Sequence, residues 1–82
     1  MEIRYITGLS AQIGIENERI TLAEKTGLAE LIELLMERSI RHRKVFENYK
    51  ALRAYSNGQI LESDAILSET DIVTFFSPIS GG

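Results

Sequence analysis

Leu28, Leu31, Ile32 and Leu35 fall at positions i, i+3, i+4 and i+7 of one continuous stretch, the spacing that lines a single face of an α-helix. Glu30, Glu33, Glu37 and Arg41 take the opposite side. The pattern predicts one main helix from about Gly27 to about Arg41. Thr26 is the expected N-cap, its hydroxyl accepting from an unpaired backbone N–H of the first turn. On both sides of this stretch the apolar period is two. One helix can cover only one face of a sheet, so the chain is expected to be a two-layer α+β domain.

The flanking segments supply the strands. "MEIRYIT" places Ile3 and Tyr5 on one face, and "NERITL" spaces Ile20 and Leu22 in the same way, so a hairpin of the two is expected. "GLSAQIG" between them reads as a loop or a single helical turn. Asn57-Gly58 in "ALRAYSNGQIL" is the favoured pair for a two-residue type I′ turn, where both residues need positive φ. "ESDAILSET" is a polar connection with Ile66 and Leu67 available to the core. "DIVTFF" is the last strand, with Val73 and Phe75 on the inner face and Ile72, Thr74 and Phe76 on the other.

Bulk properties remove several function classes. The 82 residues are enough for one domain, and 44% hydrophobic with 26% charged residues is the balance of a soluble globular protein. A net charge of −3 makes a poor general binder of nucleic acid. With no cysteine there is no thiol nucleophile or thiolate metal site, and a single histidine, His42, excludes a two-His zinc pair. No apolar run reaches membrane-spanning length, and the cytoplasm is the default compartment. Gly8 and Gly14 lack the lysine and spacing of a phosphate-binding loop. Glu30 and Glu33 sit on a solvated helix face, where nothing moves a carboxylate pKa toward catalysis. An autonomous enzyme is not expected, and no metal site is expected.

The basic run from Arg38 to Lys44 closes the predicted helix. Arg38, Arg41, Arg43 and Lys44 there complement the negative end of the helix dipole. An RNA or phosphate patch is the weaker reading, because no aromatic stacking platform interleaves the charges. His42 is expected at the surface.

The chain closes on "SPISGG". Pro78 cannot donate to a ladder and favours an extended form, and Gly-Gly is costly to order. At ~7% glycine usage, two terminal glycines arise by chance in roughly one chain in two hundred. The segment is therefore expected to be a flexible tail, residues 77–82, on a domain of residues 1–76. A terminal glycine presents the least hindered α-carboxylate a protein can offer. Once activated as an acyl-adenylate, it can pass to sulfur as a thiocarboxylate or to an amine as an isopeptide.

Asp71, Val73, Phe75, Phe76, Pro78, Gly81 and Gly82, together with the Asn57-Gly58 hairpin, resemble the ubiquitin-like sulfur carriers, most closely the small subunit of molybdopterin synthase. Thr70, Ile72 and Ser77 depart from that pattern, as does Ser56, where the hairpin strand usually carries Val. The resemblance implies a β-grasp fold: a mixed four- to five-stranded sheet with one main helix packed on one face. It implies that Gly82 is adenylated by a separate E1-like enzyme, which uses the ATP, and then thiocarboxylated, while Gly81, Ile79, Pro78 and Phe76 meet partners. The sulfur would reach a molybdopterin precursor on a large synthase subunit. No cofactor would be bound by the chain itself, and neither nucleic acid nor membrane is an expected partner. Two alternatives stay open: a ubiquitin-like modifier conjugated to target lysines, and a sulfur carrier for another pathway such as thiamine or tRNA thiolation. A plain interaction domain with an incidental Gly-Gly end also remains.

Overall fold

The computed structural model describes residues 1–22, 25–48 and 52–78. β1 (Glu2–Tyr5) leads through α1 (Leu9–Ile13) to β2 (Asn17–Arg19), and β3 (Thr26–Gly27) runs directly into α2 (Leu28–Met36). After α3 (Ile40–Phe46) come β4 (Arg53–Ser56), β5 (Gln59–Ile60), β6 (Ile66–Leu67) and β7 (Ile72–Phe76). Five strands form a mixed sheet in the order β2-β1-β7-β4-β5, while β3 and β6 pair separately. Among the described residues only β1 and β7 run parallel, with Ile3 opposite Val73 and Tyr5 opposite Phe75. This is the α+β, ubiquitin-like β-grasp arrangement expected from the sequence.

The inward residues of the two central strands make the core. Ile3, Tyr5, Val73 and Phe75 are buried against Leu28, Leu31 and Leu35 of α2 and Phe46 of α3. The Phe75 ring stacks on Tyr5, with centroids 6.2 Å apart, and meets Phe46 edge-on at 4.9 Å. Alternation along β7 is thus as the sequence implies, with one addition: Thr74 on the outer face is buried too. Asn57 and Gly58 both take positive φ, 54° and 75°, as the expected hairpin turn requires.

The single long helix is in fact two. α2 ends at Met36, and Ser39 is fully extended (φ −165°, ψ 167°) before α3 begins. Continuing the Leu28–Leu35 stripe would have turned Arg38, Ser39 and His42 toward the core. The break takes Arg38 and Ser39 off that face and leaves them exposed, while α3 turns His42, Val45 and Phe46 onto the core. The Ser39 hydroxyl caps α3 by accepting from the His42 backbone N–H at 3.1 Å. The expected cap of α2 also shifts by one residue. Gly27 is the N-cap, and its N–H donates to Glu30 Oε1 at 3.4 Å, whereas Thr26 is buried in β3 opposite Leu67. In β6 only Leu67 reaches the core; Ile66 is exposed.

Ser56 ends β4 on its buried side, and its Oγ finds no hydrogen-bond partner among the described residues. A buried, unpaired hydroxyl costs about 1–3 kcal/mol. Ser56→Val removes that cost and adds apolar contact, so the variant should be more stable by about that amount. A denaturant titration reads this directly: a lowered midpoint would mean the hydroxyl is satisfied or the pocket cannot hold the extra methyls.

Candidate functional site

The β1/β7 ladder fixes where the closing segment leaves the sheet. Ile6 N–H donates to Phe75 O at 3.1 Å, one step past the end of β1. The next residue, Thr7, takes the left-handed conformation (φ 55°), followed by Gly8 at φ 88°. This turn aims the Thr7 hydroxyl back at β7. Its Oγ1 donates to Ile6 O at 2.7 Å and accepts from Ser77 N–H at 2.8 Å. Ser77 is therefore clasped to the end of β1. Pro78 beyond it is exposed. Ile79, Gly81 and Gly82 lie outside the described residues, as does most of the expected 77–82 tail.

Phe76 lies on the outer face of the sheet, as the alternation implies, but it is half-buried because Tyr55 covers it. The two rings meet edge-on at 5.8 Å. Ile60, opposite Tyr55 across β4 and β5, and Ile72 two residues before Thr74 are exposed. The face beside the exit is thus partly apolar.

A second cluster ties α3 to the sheet edge. Glu18 of β2 is nearly buried. Its Oε2 accepts from the Tyr5 hydroxyl at 2.5 Å and meets His42 Nε2 at 2.7 Å, and its Oε1 meets Arg38 Nε at 2.6 Å. His42 Nδ1 lies 2.7 Å from Ser39 Oγ. His42, expected at the surface, is therefore buried, and Arg38 is an ion-pair partner rather than a dipole complement. Only Arg43 and Lys44 stand in the last turn of α3, where the dipole argument holds. Serine, histidine and carboxylate come into line here, but the Ser39 hydroxyl is engaged as a helix cap and His42 is sealed under Tyr5, so the line works as a structural tie. Sequence patterning missed it because its members come from β1, β2 and the α2–α3 junction. The one local signal was Ser39, three residues before His42, in capping position.

Burial alone would raise the Glu18 pKa. The hydrogen bonds from Tyr5 and His42, with the charges of His42 and Arg38, outweigh it and hold the carboxyl below its ordinary value of 4.5. A carboxyl depressed on folding adds stability above its unfolded pKa and loses it as pH falls through the folded one. The protein should therefore destabilise as pH drops below about 4.5. Glu18→Gln should be less stable at neutral pH and show a shallower acid dependence. Thermal melts across that range check this; identical acid slopes would remove Glu18 from the account. Burial also raises the Tyr5 phenol, which stays protonated as the donor.

Among the described residues no cluster of His, Cys, Asp or Glu could hold a metal ion, and no helix is long and apolar enough to cross a membrane.

The sequence matches the ThiS family over residues 3–82. The chain belongs to the ThiS family. Small carriers of the ThiS type are in general not themselves catalysts. Among solved structures, this ThiS-family chain is similar to SAMP1 from Haloferax volcanii (TM-score 0.80, 18% identity, covering 100% of this chain and 98% of that one). It is also similar to a candidate molybdopterin converting factor, subunit 1, from Pyrococcus furiosus (TM-score 0.71, 22% identity, covering 95% of each). A second structure, of H. volcanii small archaeal modifier protein 1, superposes at TM-score 0.78 with 15% identity, covering 96% of this chain and 97% of that one. These likenesses establish the fold. No curated protein matches the sequence. The family match agrees with the ubiquitin-like sulfur carriers that the terminal motif resembles, and the solved structures share the fold of this ThiS-family chain.

Proposed function

We propose that the chain carries sulfur on the α-carboxylate of Gly82 and supplies it for molybdopterin synthesis. A separate E1-like enzyme joins that carboxylate to the α-phosphate of ATP, releasing pyrophosphate. A sulfur nucleophile then displaces AMP and leaves a thiocarboxylate. A large synthase subunit receives the segment; the sulfur bonds to the precursor, and water cleaves the remaining C–S bond, supplying the oxygen that regenerates the carboxylate. The family match running through Gly82 is the observation that carries this reading. The Thr7–Ser77 clasp supports it, because it fixes the base of the segment while leaving Pro78 exposed for a partner. Gly81, Ile79, Pro78 and Phe76 are the proposed partner contacts, and Gly81 serves by keeping Cβ out of the activating enzyme's channel. The cytoplasm, where ATP is available, is the proposed site of action.

A second reading, favoured by the likeness to SAMP1, has a target lysine amine displace AMP and form an isopeptide. Deleting the gene in the native host separates the two. Loss of molybdopterin on deletion supports the synthase role; high-mass, isopeptide-linked adducts in the parent strain that vanish on deletion, with molybdopterin intact, support the modifier.

A further inference from the structure

A pocket of about 200 Å³ opens between α1 and α3, beside Ser77. Its floor is Leu9, Val45 and Leu52, each almost completely buried, and its rim includes Gln12 and Lys44. Lys44 is one turn along α3 from Arg41, on the same side of the helix. Arg41 reaches across to α1: a Cβ built on Gly14 would lie 2.9 Å from its Nη1. Neither Arg41 nor Lys44 has an ion-pair partner among the described residues. A chain of net charge −3 thus places along one seam two cations that have no ion pair among the described residues. That seam ends in an apolar hole at the point where the closing segment leaves the sheet.

We infer that this seam is a docking site for an acidic, extended segment of a partner protein, which sets one aliphatic side chain into the pocket and its flanking carboxylates against Lys44 and Arg41. The apolar floor supplies the affinity, and the charges supply orientation and encounter rate. A nucleic acid is disfavoured. None of the described residues lining the pocket is aromatic, so none offers a platform on which a base could stack, and the net negative charge of the chain repels a polyanion. The site stands on its own geometry and does not depend on what chemistry Gly82 performs.

The test is an NMR titration of the full, isotopically labelled chain with the peptide acetyl-Asp-Glu-Leu-Glu-Asp-amide, with the Leu→Gly peptide and oligouridylate as competitors. Saturable shifts should centre on Gln12, Lys44, Asn48 and Ser77. Lys44→Glu should weaken binding at least tenfold, by a factor that grows as salt falls, and Gln12→Trp, which fills the mouth from an exposed position, should weaken it by a factor that salt leaves unchanged. The Leu→Gly peptide should lose most of the affinity. The proposal is overturned by any of three results: no saturable shifts, shifts centred on the outer sheet face, or oligouridylate binding the seam as tightly as the peptide. Unchanged melting of both variants keeps a loss of binding from being a loss of fold.

Discussion

A chain lacking Gly81 and Gly82 should melt at the same temperature as the full chain and show no ATP–pyrophosphate exchange with its activating enzyme. Every residue of the described core precedes Phe76, so the deletion removes none of the packing that holds the fold. The new terminal carboxylate would lie two residues short of the activating centre. Misplacement by about 1 Å can already cost a hundredfold in rate, and two residues shift the group by several times that. Gly81→Ala is the gentler form of the same experiment. It keeps the carboxylate in place and adds one Cβ, so exchange should fall while melting stays constant. Normal exchange by the truncated chain would leave the terminal glycines without the role assigned to them.

Phe75→Ala should cost about 3–5 kcal/mol, the range for truncating a buried aromatic. Phe75 has no exposed surface, stacks on Tyr5 and meets Phe46 edge-on. It also joins the two central strands to α3, so no neighbour can collapse into the void without disturbing both layers. Domains of this size hold only about 5–15 kcal/mol in total, and the variant should be partly unfolded at physiological temperature. Phe76→Ala, one residue on, should cost much less. Its ring is half-buried against Tyr55 on the open face, and its loss should show in partner affinity, where aromatic anchors near an interface centre carry much of the energy. Equal melting losses for the two variants would mean that the outer face is as important to stability as the inner one.

The difference between these neighbours was readable in advance, because alternation along β7 is a local property and the Val73–Phe75 face has only one core to meet. The Asn57-Gly58 turn was readable for the same reason, since its backbone conformation is set by two adjacent residues. The break between α2 and α3 was not. The apolar stripe ends at Leu35, and a run of charged residues permits either a solvated helix or a turn. What decides is the gain from burying Val45 and Phe46, a tertiary effect. The burial of His42 depends on Glu18, a partner 24 residues away. Ile66 and Leu67 looked equivalent in sequence. Pairing with Thr26 and Gly27 fixes which one points inward, and a two-residue strand carries no alternation of its own to announce it. At the candidate site, the outward placement of Phe76 followed from the pleat, whereas the Thr7–Ser77 clasp, spanning 70 residues, had no local signal.

The central claim is that Gly82 is a sulfur-bearing carboxylate. Mass spectrometry of the C-terminal peptide tests it most directly, with the protein taken from its native host and again after incubation with the activating enzyme, ATP and a sulfur donor. The account predicts a peptide ending at Gly82 in which one terminal oxygen has been replaced by sulfur, with none in the chain lacking the two glycines. A peptide that remains an ordinary carboxylate under both conditions, from an activating enzyme that catalyses pyrophosphate exchange on the same chain, would contradict it.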